Sequence, residues 1–285
     1  MNNNDANRIK DSIFKYFGIF CTLFTLLILA VFIGDIVIKG IQRIDWDFLS
    51  SLPSRRAEKA GILTAMTGTA WILILTAIIS IPLGVAAGIY LEEYGKKNRL
   101  ASILEVNIAN LAGVPSIIYG LLGLEIFVRV LNFGNSLLAG AATLALLILP
   151  IIIVATREAI KAVPKSIKEA SFAMGATKLQ TILYQTLPAS SGGIMTGIIL
   201  ALSRAVGETA PLIVIGALAY VPYVAQHPMD KFTVLPIQIF NWVSRPQEAF
   251  NINAAAAIIV LLLITFILNG TAIYLRNRWQ KNIKY

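Results

Sequence analysis

Reactive side chains are nearly absent from this chain. Its 285 residues include one cysteine and one histidine. Cys21 stands alone, so neither a disulfide nor a thiolate metal site can be built within the chain. His227 lies in a polar segment, where a lone imidazole reads as a surface residue rather than a ligand or base. No Gly-rich stretch ends in Gly-Lys-Ser or Gly-Lys-Thr, so there is no phosphate-cradling P-loop. If ATP drives this protein, another chain must bind it. Charge is also scarce. Asp, Glu, Lys and Arg make up 14% of the residues, against about 25% in a soluble domain. No linker rich in Ser or Gly divides the chain, and no internal repeat is visible.

What fills the space is apolar. Hydrophobic residues reach 57% and the mean hydropathy is +0.74. Runs of about 18 or more apolar residues are transmembrane candidates. They occur over 16–34, 61–91, 106–124, 130–156, 179–220 and 252–275, the fifth running past Arg204 and Glu208. The first is too long for a signal peptide and lacks a small-residue cleavage site, so it is a span. Whether 204–208 lies within one helix or loops between two is decided by Lys and Arg. With six spans and the N-terminus inside, fifteen Lys/Arg fall in cytoplasmic segments and eight outside, including the irregular Arg55-Arg56 pair. A seventh span would put Arg276, Arg278, Lys281 and Lys284 outside. The net charge of +9 therefore orients the protein in a membrane rather than binding nucleic acid. The expectation is an all-α polytopic membrane protein with six transmembrane helices and both termini cytoplasmic. Its parts are a tail over 1–15, a first helix over 16–38, one domain over 60–275 and a tail over 276–285. Gly84/Gly88 and Gly193/Gly197 are spaced for close helix approach, although lipid-facing glycine explains any one pair nearly as well. Pro82, Pro115, Pro150 and Pro211 mark kinks or broken helices.

One stretch, 157–188, is basic and carries helix-end signals. Pro164 suits a first helical turn, and Ile167, Ala170, Ser171 and Met174 share one small face. Gly175 can take the left-handed conformation that ends a helix. Thr177 and Gln180 stand as in a capping box opening a second helix, which Leu187-Pro188 closes. Such an ordered elbow fits docking of another protein; the plainer reading is a solvated loop.

Glu169-Ala170-Ser171, then Gly175, then Leu187-Pro188 resembles the "EAA" loop of binding-protein-dependent ABC importers, with Ser171 and Gln185 departing from its pattern. The resemblance implies a type-1 ABC permease fold whose cytoplasmic coupling helices, through Glu169, Ala170, Ser171, Gly175, Leu187 and Pro188, seat in a separate ATPase.

Arg204 and Glu208 are charges inside an apolar run. A central Arg costs roughly 2.5–3.5 kcal/mol on insertion scales, so it needs a partner or a water-filled cavity. At i and i+4 of one helix the two can pair. Arg also matches an oxyanion bidentately. An anion path and a structural ion pair joining subunits both follow.

The run 201–212, containing Glu208-Thr209-Ala210-Pro211-Leu212, resembles the signature of the phosphate importer's permeases, of the PstA type. Stretches 88–94, 113–121 and 241–248 agree. The resemblance covers roughly 61–278. It implies Arg204, Glu208 and Thr209 on the path of inorganic phosphate, in a bacterial inner membrane. It also implies a complex with a homologous C-type permease, two ATPase subunits that bind the ATP, and a phosphate-binding protein. No cofactor is implied for this chain itself. Stretch 241–248 is then a docking site outside; without the family it is equally a capped loop with an interfacial Trp. Other functions compatible with the residues are import of phosphonate, sulfate or molybdate, ion-coupled transport by this chain alone, and a membrane scaffold.

Overall fold

A computed structural model describes residues 3–95, 99–217 and 220–281. Lys96, Lys97 and Lys284, counted above for topology, lie outside the described residues. Helices dominate: α1 (Asn3–Gly40), α2 (Trp46–Ser50), α3 (Leu63–Ile89), α4 (Arg99–Leu111), α5 (Ser116–Gly123), α6 (Leu137–Lys161), α7 (Lys165–Ala173), α8 (Lys178–Thr181), α9 (Leu187–Val206), α10 (Ala210–Ile215), α11 (Leu235–Val243) and α12 (Glu248–Lys281). Wide π-type turns extend three of them. Tyr90–Tyr94 prolongs α3, Leu124–Val130 prolongs α5, and Ile182–Thr186 joins α8 to α9.

Among the described residues, five helical stretches are long and apolar enough to cross a membrane: Lys10–Arg43, Leu63–Tyr94, Leu137–Lys161, Lys178–Val206 and Glu248–Arg278. The expected continuous span over 106–124 is corrected. Turn 112–115 splits it into α4 and α5. Gly113 and Pro115 explain the split, because Pro biases the residue before it away from helix. The freed carbonyl of Leu111 accepts a hydrogen bond from the Tyr119 hydroxyl at 2.8 Å. The run over 179–220 is likewise not one helix. It breaks at Gly207–Thr209, and α10 carries the chain on to Gly216 (φ +92°), which lies against Asn135. Pro115 and Pro211 stand at these two breaks, whereas Pro82 and Pro150 sit inside helices that continue unbroken.

α6 is the axis of the bundle, with 72% of its most apolar stretch buried. Both glycine pairs face it. A Cβ on Gly84 would meet the Ile152 side chain, and one on Gly88 the Thr156 side chain. From α9, a Cβ on Gly193 would lie 2.6 Å from that of Ala159, and Gly197 meets Ala155. Glycine here lets α3 and α9 approach α6 more closely than any larger residue permits.

α7 and α8 form one end of the bundle, the elbow end. At the opposite end, Phe48, Ile62, Leu235, Trp242 and Phe250 build a separate apolar cluster. Trp242 is 1% exposed and packs between Phe48 and Phe250. The interfacial-Trp reading of 241–248 is therefore corrected. Arg43 pins this end: it bonds Asp45, Asn253 and the carbonyl of Glu58, and lies over the Phe48 ring.

Candidate functional site

Two regions gather the residues singled out by the sequence. The first is the elbow. α7 begins after Pro164 and ends before Gly175, whose φ of +84° is left-handed, as its position after the helix requires. The capping box is complete: Thr177 Oγ1 accepts from Gln180 N–H, and Gln180 Oε1 accepts from Thr177 N–H at 2.8 Å. Ser171 and Thr181 hydroxyls, 2.9 Å apart, tie α7 to α8. These contacts make the elbow one unit. Leu187-Pro188 does not close the second helix. Pro188 sits in the first turn of α9, and the chain stays helical through the intervening π-type turn.

Between α7 and the π-type turn lies an open cleft of about 740 Å³, lined by Ile167, Ala170, Ser171, Met174 and Gly175 with Gln180, Tyr184 and Gln185 facing them. Met174 is 88% exposed and Tyr184 71%. Glu169 is also exposed, whereas Leu187 and Pro188 are half-buried. The narrow face of small side chains is thus uncovered and shaped as a concave seat.

The second region surrounds Arg204. α6 and α9 run antiparallel, with Gly193 at Ala159 and Gly197 at Ala155. Continuing that register puts Arg204 level with Ile148, about 17 Å along α6 from Leu137 at about 1.5 Å per residue. Arg204 is thus at mid-depth, in the last turn of α9, where a cation suits the helix dipole. Its side chain is exposed. α9 ends at Val206, and the Glu208 N–H bonds the Ala205 carbonyl at 3.3 Å. The two charges therefore do not share a helical face. Among the described residues no ion pair joins them. Thr209, half-buried, closes the break with its hydroxyl 3.4 Å from the Gly207 carbonyl. α10 then packs on α5 where Gly120 meets Pro211. Both helix breaks thus flank Arg204, since Tyr119, just past the first, shares an apolar cluster with Ala201 and Ala205 of α9.

Sequence reasoning marked a kink or break at Pro115 but missed the part of Tyr119, which bonds back across that break. It also missed the part played by Glu92 and Glu93, although an acidic pair directly after an apolar run was a visible signal. His227 is exposed, and its loop is ordered by Asp230. The backbone N–H groups of His227 and Gln226 donate to the Asp230 carboxylate, which holds that carboxyl below the usual range.

Residues 80–281 match the family model described as binding-protein-dependent transport system inner membrane component. The chain belongs to that family. It is the membrane-spanning permease subunit of an ABC importer, non-catalytic in itself, and such a permease works with an ATPase and a substrate-binding protein. Over 276 residues it is 30% identical to a probable ABC transporter permease, YqgI, of Bacillus subtilis, covering 90% of this chain and 94% of that one. It is 33% identical to the phosphate transport system permease protein PstA of Yersinia pestis, covering 92% and 88%. Among solved structures, a bacterial ABC transporter involved in import of the polysaccharide alginate superposes with a TM-score of 0.67 at 14% identity, over 95% of this permease and 99% of that chain. The MetNI methionine transporter gives 0.59 at 18%, over 77% and 94%. At these identities the two structures establish the fold.

Proposed function

We propose that this permease is the A-type subunit of an ATP-driven importer of inorganic phosphate. It pairs with a homologous C-type permease, two ATPase subunits and a phosphate-binding protein, in the plasma membrane with both termini cytoplasmic. One observation carries the reading: Arg204 stands exposed at mid-depth beside two helix breaks, without a carboxylate partner among the described residues of its own chain. A charge there is too costly to face lipid, so it faces a cavity or a partner. Its planar fork suits a tetrahedral oxyanion. Similarity to PstA proteins over most of the chain supports phosphate as that anion.

Glu208 and Thr209 line the same path at the unwound turn. Glu169, Ala170, Ser171, Gly175, Leu187 and Pro188 form the seat through which ATPase closure reaches the membrane helices. Closure opens the path outward to accept phosphate, and hydrolysis returns it inward. Uptake of radiolabelled phosphate is measured in cells carrying the permease complex with and without its ATPase, with phosphonate, sulfate and molybdate as competitors. Phosphate uptake that depends on the ATPase and is insensitive to the other anions is expected. Uptake by this chain alone under an ion gradient, or competition by another oxyanion at equal concentration, would sink the assignment.

A further inference from the structure

The elbow is covalently joined to α6 through 162–164 and to α9 through the π-type turn, but α3 has no such link. α3 nevertheless ends against it. Its apolar helix widens into Tyr90–Tyr94, which places two carboxylates in one turn. Glu92, 4% exposed, faces Arg157 of α6 at 3.8 Å, and Arg157 also reaches Glu105 of α4 at 2.8 Å. Glu93 accepts from the ammonium of Lys168, on α7, one residue before the exposed Glu169. These two side chains are only 12% and 18% exposed, so their attraction is shielded from water. The Glu93 carbonyl accepts from Lys178 of α8, whose ammonium also lies 4.2 Å above the Tyr94 ring. α6, α7 and α8 thus converge on one five-residue turn, with α4 tied to it through Arg157. Wide turns of this kind interrupt the regular helix and often occur at functional positions.

We infer that the Tyr90–Tyr94 turn is a mechanical link between the elbow and α3, with Glu93 as its positioning residue. Because the Ser171–Thr181 contact makes α7 and α8 one unit, displacement of that unit pulls Lys168 and Lys178 together. Both hold Glu93, one through its carboxylate and one through its carbonyl. α3 packs on α6 along its length through Gly84 and Gly88. A pull at its elbow end therefore reaches the membrane interior both at α6 and at α9, which α3 also touches through Ile81 and Val85. The elbow then drives two helices through the chain and a third through an ion pair and a hydrogen bond to Glu93. This inference rests on the elbow being the ATPase seat.

The test uses the assembled complex in proteoliposomes, with its ATPase and binding protein and inorganic phosphate as the probe. Glu93→Gln is expected to leave ATPase co-purification and basal hydrolysis as in wild type. Hydrolysis stimulated by the loaded binding protein, and phosphate uptake, should fall by roughly 5- to 150-fold, the usual span of a coupling between sites. The exchange Glu93→Lys with Lys168→Glu should recover most of both, which a merely destabilised fold would not do. Equal melting of wild-type and Glu93→Gln complexes in detergent guards the comparison. Stimulation and uptake within twofold of wild type in Glu93→Gln would overturn the link. Loss of ATPase binding in that variant would overturn it too, since the contact would then shape the seat rather than transmit from it. A failure of the seat itself shows separately, as ATPase retention by Gly175→Leu.

Discussion

A guanidinium at mid-depth with no carboxylate bonded to it among the described residues of its own chain is satisfied by an anion, by water or by a neighbouring subunit. The helix break between Val206 and Thr209 decides what its removal does. Were Arg204 and Glu208 a buried pair, losing one would strand the other at a cost of about 3–5 kcal/mol, and a double neutralisation would restore assembly. With the two charges on separate elements, no such penalty arises. Arg204→Gln and Glu208→Gln should each insert and bind the ATPase as wild type does. Phosphate uptake should be abolished in Arg204→Gln and severely reduced in Arg204→Lys, which keeps charge but loses the fork. The double variant should assemble and remain inactive. Uptake and complex yield across the four proteins measure this, and wild-type uptake in the double variant would remove Arg204 from the path.

The elbow works as an element because its ends are fixed by backbone conformation rather than by packing. Gly175 has φ +84° and nothing within 4 Å of where a Cβ would stand. A substitution there is resisted by conformation, at about 1–2 kcal/mol for an ordinary L-residue, not by crowding inside the chain. Asn tolerates the left-handed region better than other residues. Gly175→Asn should therefore keep the elbow's shape, Gly175→Ala weaken it, and Gly175→Leu both strain it and project into the cleft where a partner sits. ATPase co-purification and stimulated hydrolysis should fall in the order Asn, Ala, Leu, with membrane insertion unchanged. Equal coupling in all three would mean that the turn at Gly175 does not position the seat.

Seen as a whole, the molecule is a packed bundle around α6 with one helix laid outside it. Only 6% of the most apolar stretch of α1 is buried, and its contact is chiefly with α12, where Gly40 abuts the backbone of Ala255 and Ala256. The core clusters draw on α3, α6, α9, α11 and α12, not on the first span. Removal of residues 1–38 should therefore leave 60–275 folded, because Arg43 still pins the segment after α1 to α12 through Asn253. Protease resistance and thermal unfolding of the truncated chain in detergent are the measure. A collapse of either would show that α1 is part of the folding unit.

Apolar runs, end-signals and glycine pairs were legible because each is a local property. A run insoluble in water but soluble in lipid marks a membrane segment whatever its neighbours do. Pro164, Gly175 and the Thr177–Gln180 box act through their own backbone, so the elbow could be read residue by residue. The same local nature explains what could not be read. A run that crosses as one helix and a run that crosses as two halves have the same hydropathy, since a break is tolerated wherever freed backbone groups find partners. At 112–115 that partner is the Tyr119 hydroxyl, and at Gly207–Thr209 the Gly207 carbonyl accepts from the Thr209 hydroxyl. The lysine contacts of Glu93, one to its carboxylate and one to its carbonyl, join residues 75 and 85 positions apart, and Trp242 is buried by Phe48, far away in the chain. The membrane location and the elbow were therefore determined by the sequence itself. The parting of Arg204 from Glu208, the tie between α3 and the elbow and the burial of Trp242 were decided only when distant segments met, because contact energies depend on spatial neighbours that no local spacing records.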